Sequence, residues 1–264
     1  MIASHTQDDT ADKGKRRFLP AGGHGLVVSF DDALSNTGTL RDNRDQATRK
    51  ARALARRIQQ AAKDGTLTGI VDLIPGLTNL LVQYDPLQTS AKHVQATITP
   101  WLNHLSEDSG NSRHIRIPCC YGGEFGPDLE SIAVQLNLTP DEIVARHVAS
   151  SLEVAIMGFL PGLAYMKGVD ETLYLPRRKT PRALVPALTL GIAMDQTVVY
   201  PMPSPGGWNL IGRIPIALFD PKKDNPVLLR SGDNISFYQI DINEYNEIYE
   251  AYHSGGFRWK SHDR

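Results

Sequence analysis

Gly158-Phe-Leu-Pro-Gly-Leu-Ala-Tyr-Met-Lys-Gly168, Leu175-Pro-Arg-Arg-Lys-Thr-Pro-Arg182, Gly191-Ile-Ala-Met-Asp-Gln-Thr-Val-Val-Tyr-Pro201 and Ser204-Pro-Gly-Gly-Trp-Asn-Leu-Ile-Gly-Arg213 make up one stretch with almost no helical periodicity. Proline fixes φ and lacks an N–H, while glycine reaches positive φ. Alternating them with short β-branched and aromatic runs therefore predicts strands joined by rigid turns. Loops of that kind hold side chains in fixed positions.

Working outward, residues 114–119 read as a strand and 127–138 as a helix, with Leu129, Ile132, Ala133 and Leu136 in register. Thr139-Pro140-Asp141-Glu142 combines an N-cap, an N1 proline and an N3 glutamate, so a helix should run to about His147. Residues 152–157 return to strand, and the chain then looks all-β to Ile240, a barrel or sandwich pattern. Residues 243–252 predict a last helix with Tyr245, Ile248, Tyr249 and Tyr252 on one side and Gly255 past its end.

The N-terminal half differs. Residues 25–30 read as a strand. In 41–63, Ala47, Ala51, Leu54, Ala55, Ile58, Ala61 and Ala62 recur at helical steps, opposite a face carrying Arg44, Arg49, Lys50, Arg52, Arg56 and Arg57. That basic face reads as solvated or as a docking surface. Strands at 70–74 and 80–84 follow, then a helix over 90–105 that Pro100 should kink. This is a small α+β pattern with helices on one sheet face. The polar cluster 106–112 is the expected linker. The expected divisions are a disordered tail at 1–15, an α+β domain at 16–105, a β-barrel domain at 113–242, and a C-terminal helix and tail at 243–264.

Composition excludes several functions. A formal net charge of -1 over 264 residues gives no general attraction to nucleic acid or to an anionic membrane. No signal-like or membrane-spanning run is visible, and the only two cysteines, Cys119 and Cys120, are adjacent. A cytoplasmic protein with reduced thiols is expected. Gly22-Gly23-His24-Gly25 lacks dinucleotide-loop spacing and no Walker A sequence exists, so no ATP or other cofactor is expected on this chain. His114, Cys119 and Cys120 have poor spacing for zinc, and no metal is expected. Ser150, Ser151 and Ser204 lie outside any nucleophile elbow.

The four quoted blocks resemble, in order, the motifs of the allophanate hydrolase subunit 1 family, which includes the B subunit of 5-oxoprolinase and the KipI inhibitors of sporulation histidine kinases. The resemblance extends more weakly over residues 18–240. It implies an α+β N-terminal domain followed by a mainly β, cyclophilin-like β-barrel domain. It also implies a non-ATP-binding subunit of a hydrolase complex that opens 5-oxoproline to glutamate or acts on allophanate. Its partners would be a subunit-2-like chain, the C-type subunit of 5-oxoprolinase, and an A-type subunit carrying ATP. Two other readings stay open: a KipI-like protein docking on a histidine kinase, and a carboxyltransferase-like component acting on a urea-derived or biotin-linked substrate.

Within the blocks, Arg178 and Arg182 could hold a substrate carboxylate, since guanidinium groups do so bidentately. Gln196 could pair with an amide, and Phe159, Pro161, Tyr165, Tyr200 and Trp208 could form walls, with Gly206 and Gly207 allowing close approach. His147, where the family usually has a histidine, could carry a proton or could simply sit at a helix C-terminus. The sequence departs from the family at Leu163, Ala164, Met166, Leu188-Thr189 and Met194-Asp195. Those changes put the substrate in question rather than the fold.

Overall fold

A computed structural model describes residues 17–31, 39–105 and 112–257. The chain divides into two compact units, residues 1–108 and 109–264. The expected tail at 1–15 and all of the expected linker except Ser112 lie outside the described residues, as do the last residues of the C-terminal segment, 258–264.

The first unit is an antiparallel sheet in the order β1-β2-β4-β3, with β1 (Phe18–Ala21), β2 (Gly25–Ser29), β3 (Ile70–Pro75) and β4 (Asn79–Tyr84), plus α1 (Leu40–Lys63) and α2 (Ala91–Leu102). Thr39 opens α1 with a capping box. Its hydroxyl accepts the Asp42 N–H at 3.1 Å, and the Asp42 carboxylate accepts the Thr39 N–H at 3.3 Å. The stripe Ala47, Ala51, Leu54 and Ile58 is fully buried against Leu26, Val28, Leu80, Val82 and Ile98. Each large aliphatic side chain so buried contributes roughly 1.5–3 kcal/mol. α2 runs through Pro100 and ends at Leu102. In the last turn the proline removes only one N–H bond, and little helix remains to be redirected.

The second unit contains β5 (His114–Tyr121), α3 (Leu129–Leu136), α4 (Pro140–Ala149), β6 (Leu152–Met157), β7 (Ala164–Lys167), β8 (Arg182–Val185), β9 (Thr189–Ala193), β10 (Gln196–Val199), β11 (Ser204–Gly206), β12 (Asn209–Arg213), β13 (Asn234–Gln239) and α5 (Ile242–His253). Seven of the strands close into a barrel in the order β10-β7-β6-β13-β5-β12-β9. Its neighbours are antiparallel except β13 beside β5. Closure leaves no exposed sheet edge in the barrel. The remaining two strands, β8 and β11, pair only with each other as a ribbon.

Inside the barrel, Ile117, Leu152, Met166, Ile192, Val199 and Phe237 form one core, joined by Ile132 of α3 and Ile143 of α4. The Thr139 capping box of α4 forms as the sequence predicts, with the Glu142 carboxylate accepting the Thr139 N–H at 2.7 Å. Asp241 caps α5, whose Tyr245 packs on Phe125 with ring centroids 4.5 Å apart. Two of the family departures occupy left-handed backbone, Leu188 at φ 63° and Met194 at φ 54°. A side chain there costs about 1 kcal/mol relative to glycine. Leu188 is 9% exposed and joins the barrel core, which offsets that strain.

Candidate functional site

Alternation along β10 sorts the candidate residues onto two faces, because successive strand side chains point to opposite sides of a sheet. Thr197 and Val199 point inward. Val199 belongs to the barrel core, whereas Val198 and Tyr200 pack outside with Leu163, Val185, Ala193, Trp208 and Leu210. Gln196, two residues before Val198, shares the outer face and is 9% exposed. Tyr165 of β7, paired in register with Val198, joins the same outer cluster.

That outer face gathers the candidate rings and arginines. The Tyr165 and Trp208 rings have centroids 6.0 Å apart, and the Arg177 guanidinium lies 5.2 Å from the Trp208 centroid. Arg178 and Arg182 do converge on a carboxylate, and it belongs to Asp128. Arg178 Nη1 reaches Oδ1 at 3.0 Å and Arg182 Nη2 at 2.6 Å. Asp128 Oδ2 accepts the Leu210 N–H at 2.7 Å, and the Asp128 N–H donates to the Leu210 carbonyl at 3.0 Å. The carboxylate is thus fixed to the barrel wall just before the register shift between Leu210 and Gly212 of β12. The Asp128 side chain is 6% exposed, while the two arginine side chains stay 38% and 24% exposed.

Gly206 and Gly207 serve different purposes. A β-carbon at Gly206 would overlap the Tyr200 hydroxyl, so only glycine lets the ribbon lie on that ring. Gly207 accepts the Arg178 N–H at 2.8 Å and has ordinary space around it. Phe159 and Pro161 do not line the face. In the turn closed by the Gly158 N–H to Leu163 carbonyl bond of 2.7 Å, Leu160 and Leu163 pack into the cluster, whereas Phe159 remains 84% exposed and Pro161 exposed.

His147 is on the other side of the wall. It is fully buried, with Nδ1 2.9 Å from the Tyr121 hydroxyl, Nε2 3.3 Å from Thr197 Oγ1, and its ring 5.3 Å from that of Phe237. Thr197 donates its proton to the Gly191 carbonyl at 3.0 Å, so it accepts from Nε2–H, and Nδ1 accepts from Tyr121. Burial lowers the His147 pKa from 6.5 to about 3. This neutral imidazole has both nitrogens engaged and lies on the Thr197 side of β10, so it cannot share a cleft with Gln196. The expected grouping of His147 with the outer residues is corrected accordingly.

Three charged residues of this wall carry little signal in the sequence. Glu153 and Lys167 sit side by side across β6 and β7, with Lys167 Nζ 3.8 Å from the Glu153 carboxylate, and Lys167 pairs in register with Gln196 of β10. Counting two from Tyr165 places Lys167 on the outer face. The third, Asp128, is marked only as a charged residue after Gly126-Pro127 at a helix start.

Among the described residues no three His, Cys, Asp or Glu side chains gather as a metal site, and no helix is long and apolar enough to cross a membrane. Cys119 and Cys120 are free and buried, and burial is the main cause that raises both thiol pKa values. That disfavours the reactive thiolate form.

The family described as "Carboxyltransferase domain, subdomain C and D" matches residues 16–229. The chain is 39% identical over 193 residues to the B subunit of 5-oxoprolinase from Bacillus subtilis, covering 69% of this chain and 80% of that protein. The crystal structure of TTHA0988 is 33% identical with a TM-score of 0.66, and the match covers 82% of this chain but only 40% of that longer one. Kluyveromyces lactis urea amidolyase shares the fold, with a TM-score of 0.68 at 19% identity over 91% of this chain and 16% of that one. With the four blocks folded onto one barrel wall, the chain belongs to the carboxyltransferase-domain family, subdomain C and D, that of allophanate hydrolase subunit 1 and the B subunit of 5-oxoprolinase.

Proposed function

We propose that this chain is the non-ATP-binding subunit of a 5-oxoprolinase complex that opens the lactam of 5-oxoproline to glutamate, with ATP handled by an A-type subunit and the site completed by a C-type subunit. The observation that carries this reading is the 39% identity to the B subunit of 5-oxoprolinase over 80% of that protein. The matched unit also occupies 40% of the TTHA0988 chain, where it is joined to further protein.

The outer face suits such a substrate. 5-Oxoproline presents an amide edge, a small apolar ring and a carboxylate. Gln196 offers an amide, the Tyr165 and Trp208 rings offer packing, and Arg178 and Arg182 offer cationic donors. His147 is turned into the core, so the proton-carrying histidine that the resemblance suggested is not on this face, whose titratable side chains include the Lys167 and Glu153 pair. In this reading the chain contributes binding groups and the partner subunits complete the site.

The test is to co-purify the chain with its C-type and A-type partners and measure glutamate formed from 5-oxoproline with ATP. Glutamate is expected only from the full set. Turnover by the isolated chain, or none by a stably assembled complex, would overturn the proposal.

A further inference from the structure

The Gln196 amide is nine-tenths buried and has no protein partner. The residue is 9% exposed, and among the described residues its side chain makes no hydrogen bond. Neither amide atom is fully enclosed, so a ligand can reach it. Buried polar groups are as a rule hydrogen-bonded, and an amide held this way draws its bonds from whatever enters the face.

Two side chains flank it across the sheet. Gln196 pairs in register with Ala193 of β9 on one side and Lys167 of β7 on the other, and Lys167 pairs in turn with Glu153 of β6. Residues directly opposite on antiparallel strands have β-carbons about 4.5–5.5 Å apart, so the amide and the lysine stem lie side by side on the outer face. Ala193 presents only a methyl group. Lys167 has a side chain 14% exposed and its Nζ 3.8 Å from the Glu153 carboxylate. The three donors of an ammonium group can serve an internal carboxylate and a ligand at once. Arg178 and Arg182, by contrast, both aim a guanidinium nitrogen at Asp128. Tyr165, two residues before Lys167, carries its ring on the same face, 6.0 Å from that of Trp208.

We infer that Gln196 and Lys167 together hold a cyclic amide bearing a carboxylate beside its nitrogen, Gln196 on the amide edge and Lys167 on the carboxylate. That this ligand is 5-oxoproline rests on the proposed function. A small lactam ring fixes its amide cis, so the N–H and C=O point to the same side. A primary carboxamide, with an acceptor oxygen beside N–H donors, matches that edge with two hydrogen bonds. In 5-oxoproline the carboxylate is on the carbon next to the ring nitrogen, so it falls on the Oε1 side of the pair, where a neighbouring cation can take it. The carboxylate thus goes to Lys167 rather than to the arginines, which already share Asp128. Lys167 then sets specificity, separating the acid from the bare lactam.

The test uses the assembled complex. Lys167→Gln removes the charge, Lys167→Arg restores it, and Glu153→Gln breaks the internal ion pair while leaving the ammonium in place. In Lys167→Gln, KM for 5-oxoproline should rise about tenfold with kcat within about threefold, as for loss of a hydrogen bond to a charged group. Lys167→Arg should return KM to within about threefold of wild type, and in Glu153→Gln it should not rise. 2-Pyrrolidinone, the same lactam without the carboxylate, should inhibit wild type and Lys167→Gln alike, whereas Gln196→Leu should weaken its inhibition about tenfold.

An unaltered KM in Lys167→Gln, or an equal rise in Glu153→Gln, overturns the role of Lys167. Inhibition by 2-pyrrolidinone that is absent from wild type, or that survives Gln196→Leu, overturns the amide edge. A wild-type complex inactive on 5-oxoproline overturns the proposed function and the ligand's identity with it. Saturation-transfer NMR of 2-pyrrolidinone with wild-type and Gln196→Leu complexes then still decides the amide edge.

Discussion

The two faces of β10 use polar groups in opposite ways. On the inner face, His147, Tyr121, Thr197 and the Gly191 carbonyl form a closed chain in which every donor has an acceptor. On the outer face, two arginines that stay partly exposed share one buried aspartate. A satisfied buried network specifies a core, whereas ion pairs left partly open to solvent stay free to rearrange. One strand thus separates a histidine sealed in the core from the rings and arginines of the outer face, a single residue away.

The largest effect expected is from His147→Ala. It removes the centre of the inner chain and leaves the Tyr121 hydroxyl and Thr197 short of a partner, so stability should fall by about 3 kcal/mol. Urea denaturation measures it. In the assembled complex the more conservative His147→Gln should keep kcat within about threefold where the protein remains folded. A folded His147→Gln complex with abolished turnover would break the distinction between the faces.

Acid gives a smaller effect with a defined sign. His147 has a folded pKa of about 3 against 6.5 in the unfolded chain, so its contribution is complete above pH 6.5. As pH falls below 6.5 the unfolded state takes up the proton first, and stability drops by up to about 1.4 kcal/mol per pH unit towards pH 3. Denaturation at pH 7.5 and pH 5 should show about 2 kcal/mol less stability at the lower pH than the same comparison in His147→Gln. Identical slopes for the two proteins would mean that the imidazole is not held neutral.

The smallest effect sharpens the outer side. Arg177→Gln removes the cation from above Trp208 and should cost about 0.5–1 kcal/mol, with the barrel strands unchanged in amide exchange. A loss several times larger would mean that the outer cluster is part of the main core rather than a surface layered on it.

Much of this was legible in the sequence for physical reasons. The capping box at Thr139, the apolar stripe of α1 and the Gly/Pro punctuation after Gly158 each depend on residues only a few positions apart. Local hydrogen bonding and side-chain periodicity are enough to specify them. The resemblance in four blocks then pointed to the family, which the match over residues 16–229 shows.

What stayed hidden involves distance along the chain. Asp128 meets Arg178 and Arg182 across 50 and 54 residues, and His147 meets Thr197 across 50. Nothing in the spacing of these residues encodes such meetings, because they arise only when the sheet closes. Residue order alone was enough to place the five helices and the strands from β2 to β6, though not β1, and to mark the segment after Gly158 as strands and turns. Packing across the closed sheet was needed to set which face of each strand points inward, and therefore that the arginines hold an internal carboxylate and the histidine is sealed in the core. Barrel closure turns a one-residue alternation into a wall, with a packed interior on one side and the rings and arginines on the other.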